Sequence, residues 1–359
     1  MDVSIKNLDK AQVEAIISLN SEDMEKYLDS AAKRLGKNLK VKGFREGKVP
    51  RTMVEKELGK DAVWEEALPE AIEDLYWKVV EEKDIEAIGR PSISVSKSVP
   101  FEVLEFKAKI PVMPDLELPD YKSIAKKVRE KEKRDIIVED KEVEDALKWL
   151  QRSRATGSGE EKDAEKSLPE INDEFAKNIG GFDNLDALKK SIKEGLEKEK
   201  EEQEKQRLRL LTLEKIREKV KLPIAESLME EELNKMEQEL RQQIEQMNMT
   251  IDQYLKNVKK DLKSIREEWK DKAKERVSAG ILLRAIGDKE NVSPSDKEIE
   301  EEANKYLLRF GSPEEAAKAI DPKRLRSYIH GIMRNEKVFE LLEGNNSNKD
   351  GDGDDKKDS

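Results

Sequence analysis

The spacing of apolar positions changes several times along the chain. In residues 13–19, Val13, Ala15, Ile17 and Leu19 recur at every second position, as in a half-buried strand. The spacing then becomes helical: Met24, Tyr27, Leu28, Ala31, Ala32 and Leu35 make one stripe, and Ser21 is placed to cap it. A second helical tract runs from Arg51 to Lys83, with interruptions expected at Gly59 and Pro69. Two more alternating runs, 92–96 and 101–110, bring the strands to three. The N-terminal part therefore reads as an α+β domain, a three-stranded antiparallel sheet under helices.

Beyond it the pattern is helical or absent. Residues 113–138 hold Pro114 and Pro119 and then a mostly charged run, which predicts an extended linker. Residues 139–344 read as an all-α, multi-helix domain with arm-like helices. Its first helix is short, over 140–152. Its second is long, from Asp183 to about Val220, and the almost wholly charged middle, 197–207, predicts a solvent-bathed arm. Pro223 opens another helix, and one more is expected from Thr250 to Gly287. A helix start at Ser293 to Asp296 and short segments around Pro313 and Pro322 lead to a final apolar stripe ending at Leu342. Residues 155–167 read as a flexible polar tether and 345–359 as a disordered tail.

Composition narrows the chemistry. With 42% charged and 5% aromatic residues, the 359-residue chain suits solvated helices with narrow apolar stripes better than one thick core. Cysteine is absent, which removes disulfide and thiolate chemistry. No apolar run is long enough to span a bilayer, and no basic segment followed by an apolar one opens the chain, so a cytoplasmic protein without membrane contact is expected. The single histidine, His330, has no second soft ligand for zinc. Asp350, Asp352 and Asp354 have the spacing of a calcium loop, but Asp355 stands where such a loop needs glycine. Among 81 acidic residues, carboxylate pairs on one helix face carry no information. No catalytic residue, metal or cofactor is expected.

Charge is unevenly distributed. The net charge is −11, yet residues 33–60 hold ten cations (Lys33, Arg34, Lys37, Lys40, Lys42, Arg45, Lys48, Arg51, Lys56 and Lys60) against three acids, Glu46, Glu55 and Glu57. Such a local reversal of sign points to a polyanionic partner. At its centre lies Gly43-Phe44-Arg45-Glu46-Gly47-Lys48-Val49-Pro50, an aromatic residue and an arginine between glycines.

This stretch resembles the ribosome-binding motif of the trigger factor family, bacterial chaperones at the exit of the ribosomal tunnel. The resemblance runs from Met1 to about Lys126 and more loosely from Leu168 to Gly344. It implies that Phe44 and Arg45, with Lys42, Gly43, Gly47 and Lys48, bind the ribosome through protein and rRNA at the exit. Glu46 departs from the lysine common in the family. The implied domains are a ribosome-binding domain over 1–112, the linker over 113–138 and a helical chaperone domain over 139–344. The family's peptidyl-prolyl isomerase domain would be inserted at 155–167, a stretch far too short for a compact domain of roughly a hundred residues. The resemblance thus implies an ATP-independent chaperone, lacking isomerase activity, that holds nascent or unfolded polypeptides and can pair as a homodimer off the ribosome. Leu228, Met229, Leu233, Met236, Leu240, Met247 and Met249 form a flexible apolar set suited to varied clients. Two alternatives stand beside this reading: a residual peptidyl-prolyl isomerase and a non-catalytic helical scaffold.

Overall fold

A computed structural model of the chain describes residues 1–37, 39–41, 44, 49–155, 168–308 and 321–344. The tether residues 156–167, the segment around Pro313 and the tail 345–359 lie outside them. The chain forms two compact units, each from two stretches: Met1–Leu118 with Val220–Ala285, and Pro119–Lys219 with Ile286–Ser359.

The first stretch carries an antiparallel sheet of four strands, not three, in the order β1-β2-β4-β3: β1 Asp2–Leu8, β2 Gln12–Asn20, β3 Ser92–Val99 and β4 Val103–Pro111. The unexpected strand is β1. It has only Val3 and Ile5 to mark an inward face, and as an edge strand it leaves Ile5 40% exposed, so its period-two signal is faint. Pairing sets Val3, Ile17, Phe106 and Val95 in one row across all four strands.

β2 passes straight into α1 (Ser21–Gly36), so the cap is Asn20 and not Ser21. Asn20 Oδ1 accepts from the Asp23 backbone N–H at 3.0 Å, and the Asp23 carboxylate accepts from the Asn20 N–H at 3.2 Å. α2 (Arg51–Leu58) and α3 (Lys60–Glu82) follow, separated by Gly59 at φ 91°. α3 continues through Pro69 despite the expected break. Proline inside a helix costs about 3 kcal/mol. Here Val63, Trp64, Ala67, Ala71, Leu75 and Val79 are all buried, and packing on both sides of the proline outweighs that cost.

The second unit begins with another correction. Residues 121–132, expected in the extended linker, form α4 (Tyr121–Glu132), capped by Asp120 and burying Tyr121, Ile124, Ala125 and Val128. α5 (Asp140–Ala155), α6 (Asp173–Gly180) and α7 (Leu185–Arg217) share a core of Val143, Leu147, Phe175, Ala176 and Leu188. The charged middle of α7 is fastened down along one face, while Lys198, Glu199, Glu201, Glu202, Gln203 and Gln206 are exposed. Lys200 Nζ lies 2.6 Å from Glu142 Oε2 and donates to the Ile137 carbonyl at 2.7 Å, while Glu204 accepts from the Arg134 N–H at 2.9 Å.

The chain then returns to the first unit with α8 (Glu226–Gln246), α9 (Ile251–Val258) and α10, which runs Leu262–Lys289. The single helix expected from Thr250 to Gly287 is thus two, broken where Lys259 takes a left-handed conformation at φ 54°. Within the second unit, α11 (Asp296–Leu307) starts at Ser295 as expected, and α12 (Pro322–Leu342) places Pro322 in its first turn.

Candidate functional site

The basic stretch is the connection between α1 and α2. Its two feet are buried valines: Val41 and Val49 both sit in the core of the sheet domain. Each buried valine contributes about 1.5–3 kcal/mol, so the feet are firmly held. Between them Phe44 is 41% exposed, and its backbone N–H donates to the Val41 carbonyl at 3.1 Å. A ring of this size outside the core of its own domain is open to a partner. Lys42, Gly43, Arg45, Gly47 and Lys48 lie outside the described residues, as does Glu46.

The surrounding cations divide into two groups. Lys33, Lys37, Lys40 and Lys56 are exposed. Arg34 and Arg51 are already engaged within the fold. Arg34 is bound by Glu66, at 2.8 Å, and by Glu70 on α3. Arg51 is held by Glu25 at 2.6 Å, Glu55 at 2.6 Å and Asp29 at 3.2 Å. Burial works to lower the Arg51 pKa, but the hydrogen bonds it donates to these three carboxylates outweigh that and the net shift is upward. The positive window read from the sequence is therefore less free than its residue count. The signal for this was present in part, since Glu55 stands four residues after Arg51 on the same helix.

The apolar set proposed for clients is only partly at the surface. Leu233 and Met236 are buried against Ala273, with Met229 and Trp269 packed around them, and they hold α8 to α10. Leu228 packs over Gly89, where a Cβ would overlap its Cδ2. Leu240 and Met249 are half-buried, and Met247 alone of the set is well exposed, at 67%. Arg266 joins the two helices by ion pairs to Glu230 at 2.8 Å and Glu237 at 3.0 Å. His330 is half-buried on α12. Among the described residues no three His, Cys, Asp or Glu side chains gather as a metal site, and no helix is long and apolar enough to cross a membrane.

Residues 1–150 match the family model of bacterial trigger factor protein, and residues 184–343 match the model of its C-terminus. The chain belongs to the trigger factor family. The trigger factor of Halalkalibacterium halodurans is 27% identical over 389 residues, covering 85% of this chain and 89% of that protein. The trigger factor of Anoxybacillus flavithermus is 27% identical over 431 residues, with 94% of this chain and 100% of that protein covered. That alignment is longer than the 359-residue chain itself, so the Anoxybacillus trigger factor carries residues with no counterpart here. A solved structure described as "Promiscuous Substrate Recognition in Folding and Assembly Activities of the Trigger Factor Chaperone" matches 95% of this chain and 99% of its own at 20% identity and a TM-score of 0.49.

Proposed function

We propose that this trigger factor family member is an ATP-independent chaperone of the cytoplasm that docks on the ribosome at the tunnel exit and holds apolar segments of nascent or unfolded chains. The observation that carries this reading is the exposed Phe44 standing between the buried feet Val41 and Val49, within a motif of glycines and cations. Phe44 would enter an apolar recess while Arg45, Lys42 and Lys48 face ribosomal carboxylates or rRNA phosphates, with Gly43 and Gly47 allowing the turn. In this proposal residues 1–112 do the docking and 139–344 belong to the chaperone body. The exposed part of the α8–α10 region, Met247 with half-buried Leu240 and Met249, is the better candidate for client contact than buried Leu233 and Met236. Weak contacts at several such points delay collapse without an energy source. A homodimer off the ribosome is part of the same family-based proposal.

Support for a missing isomerase domain comes from two findings. The family models leave only residues 151–183 between them, and the 431-residue alignment requires residues in the relative that this chain does not have. The docking claim is tested by replacing Phe44 and Arg45 with alanine. Co-sedimentation with salt-washed ribosomes is expected to disappear, with an unchanged far-ultraviolet circular dichroism spectrum and unchanged suppression of aggregation of a model unfolded protein. Co-sedimentation at the parent level would refute the assignment.

A further inference from the structure

Arg51 follows the second foot of the loop directly, and its charge is committed inside the fold. Its side chain is only 19% exposed. Nε donates to Glu55 at 2.6 Å, and Nη1 donates to Glu25 at 2.6 Å and to Asp29 at 3.2 Å. The guanidinium carbon lies 5.7 Å from the centroid of Phe101, in the turn between β3 and β4, and Phe101 in turn lies 5.9 Å from the Trp64 ring. One side chain thus ties the first residue of α2 to two positions a turn apart on α1 and to the β3–β4 turn.

Those ties bear on Phe44 because the loop is hung between α1 and α2. The end of α1 lies against the second foot: a Cβ on Gly36, the last residue of α1, would stand 3.8 Å from Val49 Cβ and 3.5 Å from Val54 Cγ2. Any slide of α2 along α1 would change the span the loop has to close and the point from which Phe44 projects. A side chain that prevents the slide reduces the ordering that docking would otherwise require.

We infer that Arg51 is a positioning residue for docking through Phe44: it makes no contact with the ribosome and holds the two feet of the loop in the register that presents the ring. The inference rests on the docking reading given above. It also separates Arg51 from Lys33, Lys37 and Lys56, whose side chains are exposed to solvent.

The test is a set of ribosome-binding titrations with the full chain at several salt concentrations, with affinity expressed per folded molecule from circular dichroism at the assay temperature. Destabilisation alone then leaves the result unchanged. Arg51→Ala is expected to weaken binding about five- to tenfold. It is expected to do so without altering the slope of log affinity against log salt, whereas losing a phosphate-contacting cation lowers that slope by about one. The double variant Glu25→Gln, Asp29→Asn removes no cation and is expected to weaken binding similarly. Phe44→Ala is expected to cost less in the Arg51→Ala background than in the parent, because both changes disable one contact. Unchanged affinity in Arg51→Ala overturns the inference. So does a slope lowered by about one with the Glu25, Asp29 variant silent, which would make Arg51 a direct contact. If Phe44→Ala in the parent binds normally, the docking reading itself is wrong and the positioning role falls with it.

Discussion

Arg209 shows how one residue can change character between sequence and structure. In the sequence it belongs to a cationic stretch of α7; in the fold it is 5% exposed. Its two Nη atoms donate to Glu336 at 2.8 and 2.6 Å, Nε donates to Glu343 at 2.5 Å, and its guanidinium carbon lies 4.7 Å from the Phe339 centroid. Burial works to lower the Arg209 pKa, and the two carboxylates raise it by more. Arg209→Ala would strand both acids and is expected to destabilise the second unit by roughly 2 kcal/mol, less than a fully buried pair because Glu336 remains 46% exposed. Urea unfolding measures this, and Arg209→Lys should recover only part of the loss, since an ammonium cannot form the same fork. The exposure of Phe44 was legible for the opposite reason. Phe44 between glycines has no helical or strand stripe to belong to, and exposure is what such a position leaves for it. The burial of Leu233 and Met236 was less legible, because an adaptable client surface and a helix-pairing seam use the same residue types at the same spacing.

At the scale of elements, helices with strong caps were well placed by sequence, and α11 shows why. Ser295 and Glu298 reciprocate across its first turn: the Ser295 side chain accepts from the Glu298 N–H at 3.3 Å, and the Glu298 carboxylate accepts from the Ser295 N–H at 2.7 Å. Lys337 of α12 lies 2.8 Å from the same carboxylate. Hydrogen bonds from Lys337 and then from Ser295 pull the Glu298 pKa down to about 2. Glu204, bonded by Arg207 and the Arg134 N–H, is likewise lowered to about 2. Both folded values lie below the ordinary 4.5, so the stability these groups supply is complete above that value and is lost as pH falls toward about 2. The urea midpoint of the second unit should therefore drop across this acid window, and a Glu204→Gln, Glu298→Gln variant should drop less. The elements that sequence placed poorly were those whose apolar pattern was thin or whose break carried no breaker residue, and α4 was missed although Asp120 caps it. α4 has four buried residues in a run dominated by lysine and glutamate, β1 has only Val3 and Leu8 half-buried, and the break at Lys259 has no glycine or proline to announce it.

At the scale of the molecule, the proposal that the isomerase insert is missing predicts a specific silence. At sub-stoichiometric concentration the chain should leave the rate of a proline-limited refolding reaction unchanged, while still suppressing aggregation at equimolar concentration. Acceleration of the slow phase would contradict it. A different consequence comes from the way the chain doubles back. The first unit is built from Met1–Leu118 and Val220–Ala285, and the second part leans on the first through Leu228 over Gly89, Arg90 to Glu231 and Arg284 to Glu86. Among the described residues, the sheet domain's own apolar core, by contrast, draws its members from before Met113. During synthesis the portion proposed to grip the ribosome can thus mature as soon as it clears the tunnel, long before its helical partners exist. A newly made molecule would be able to occupy the ribosome that is still producing it.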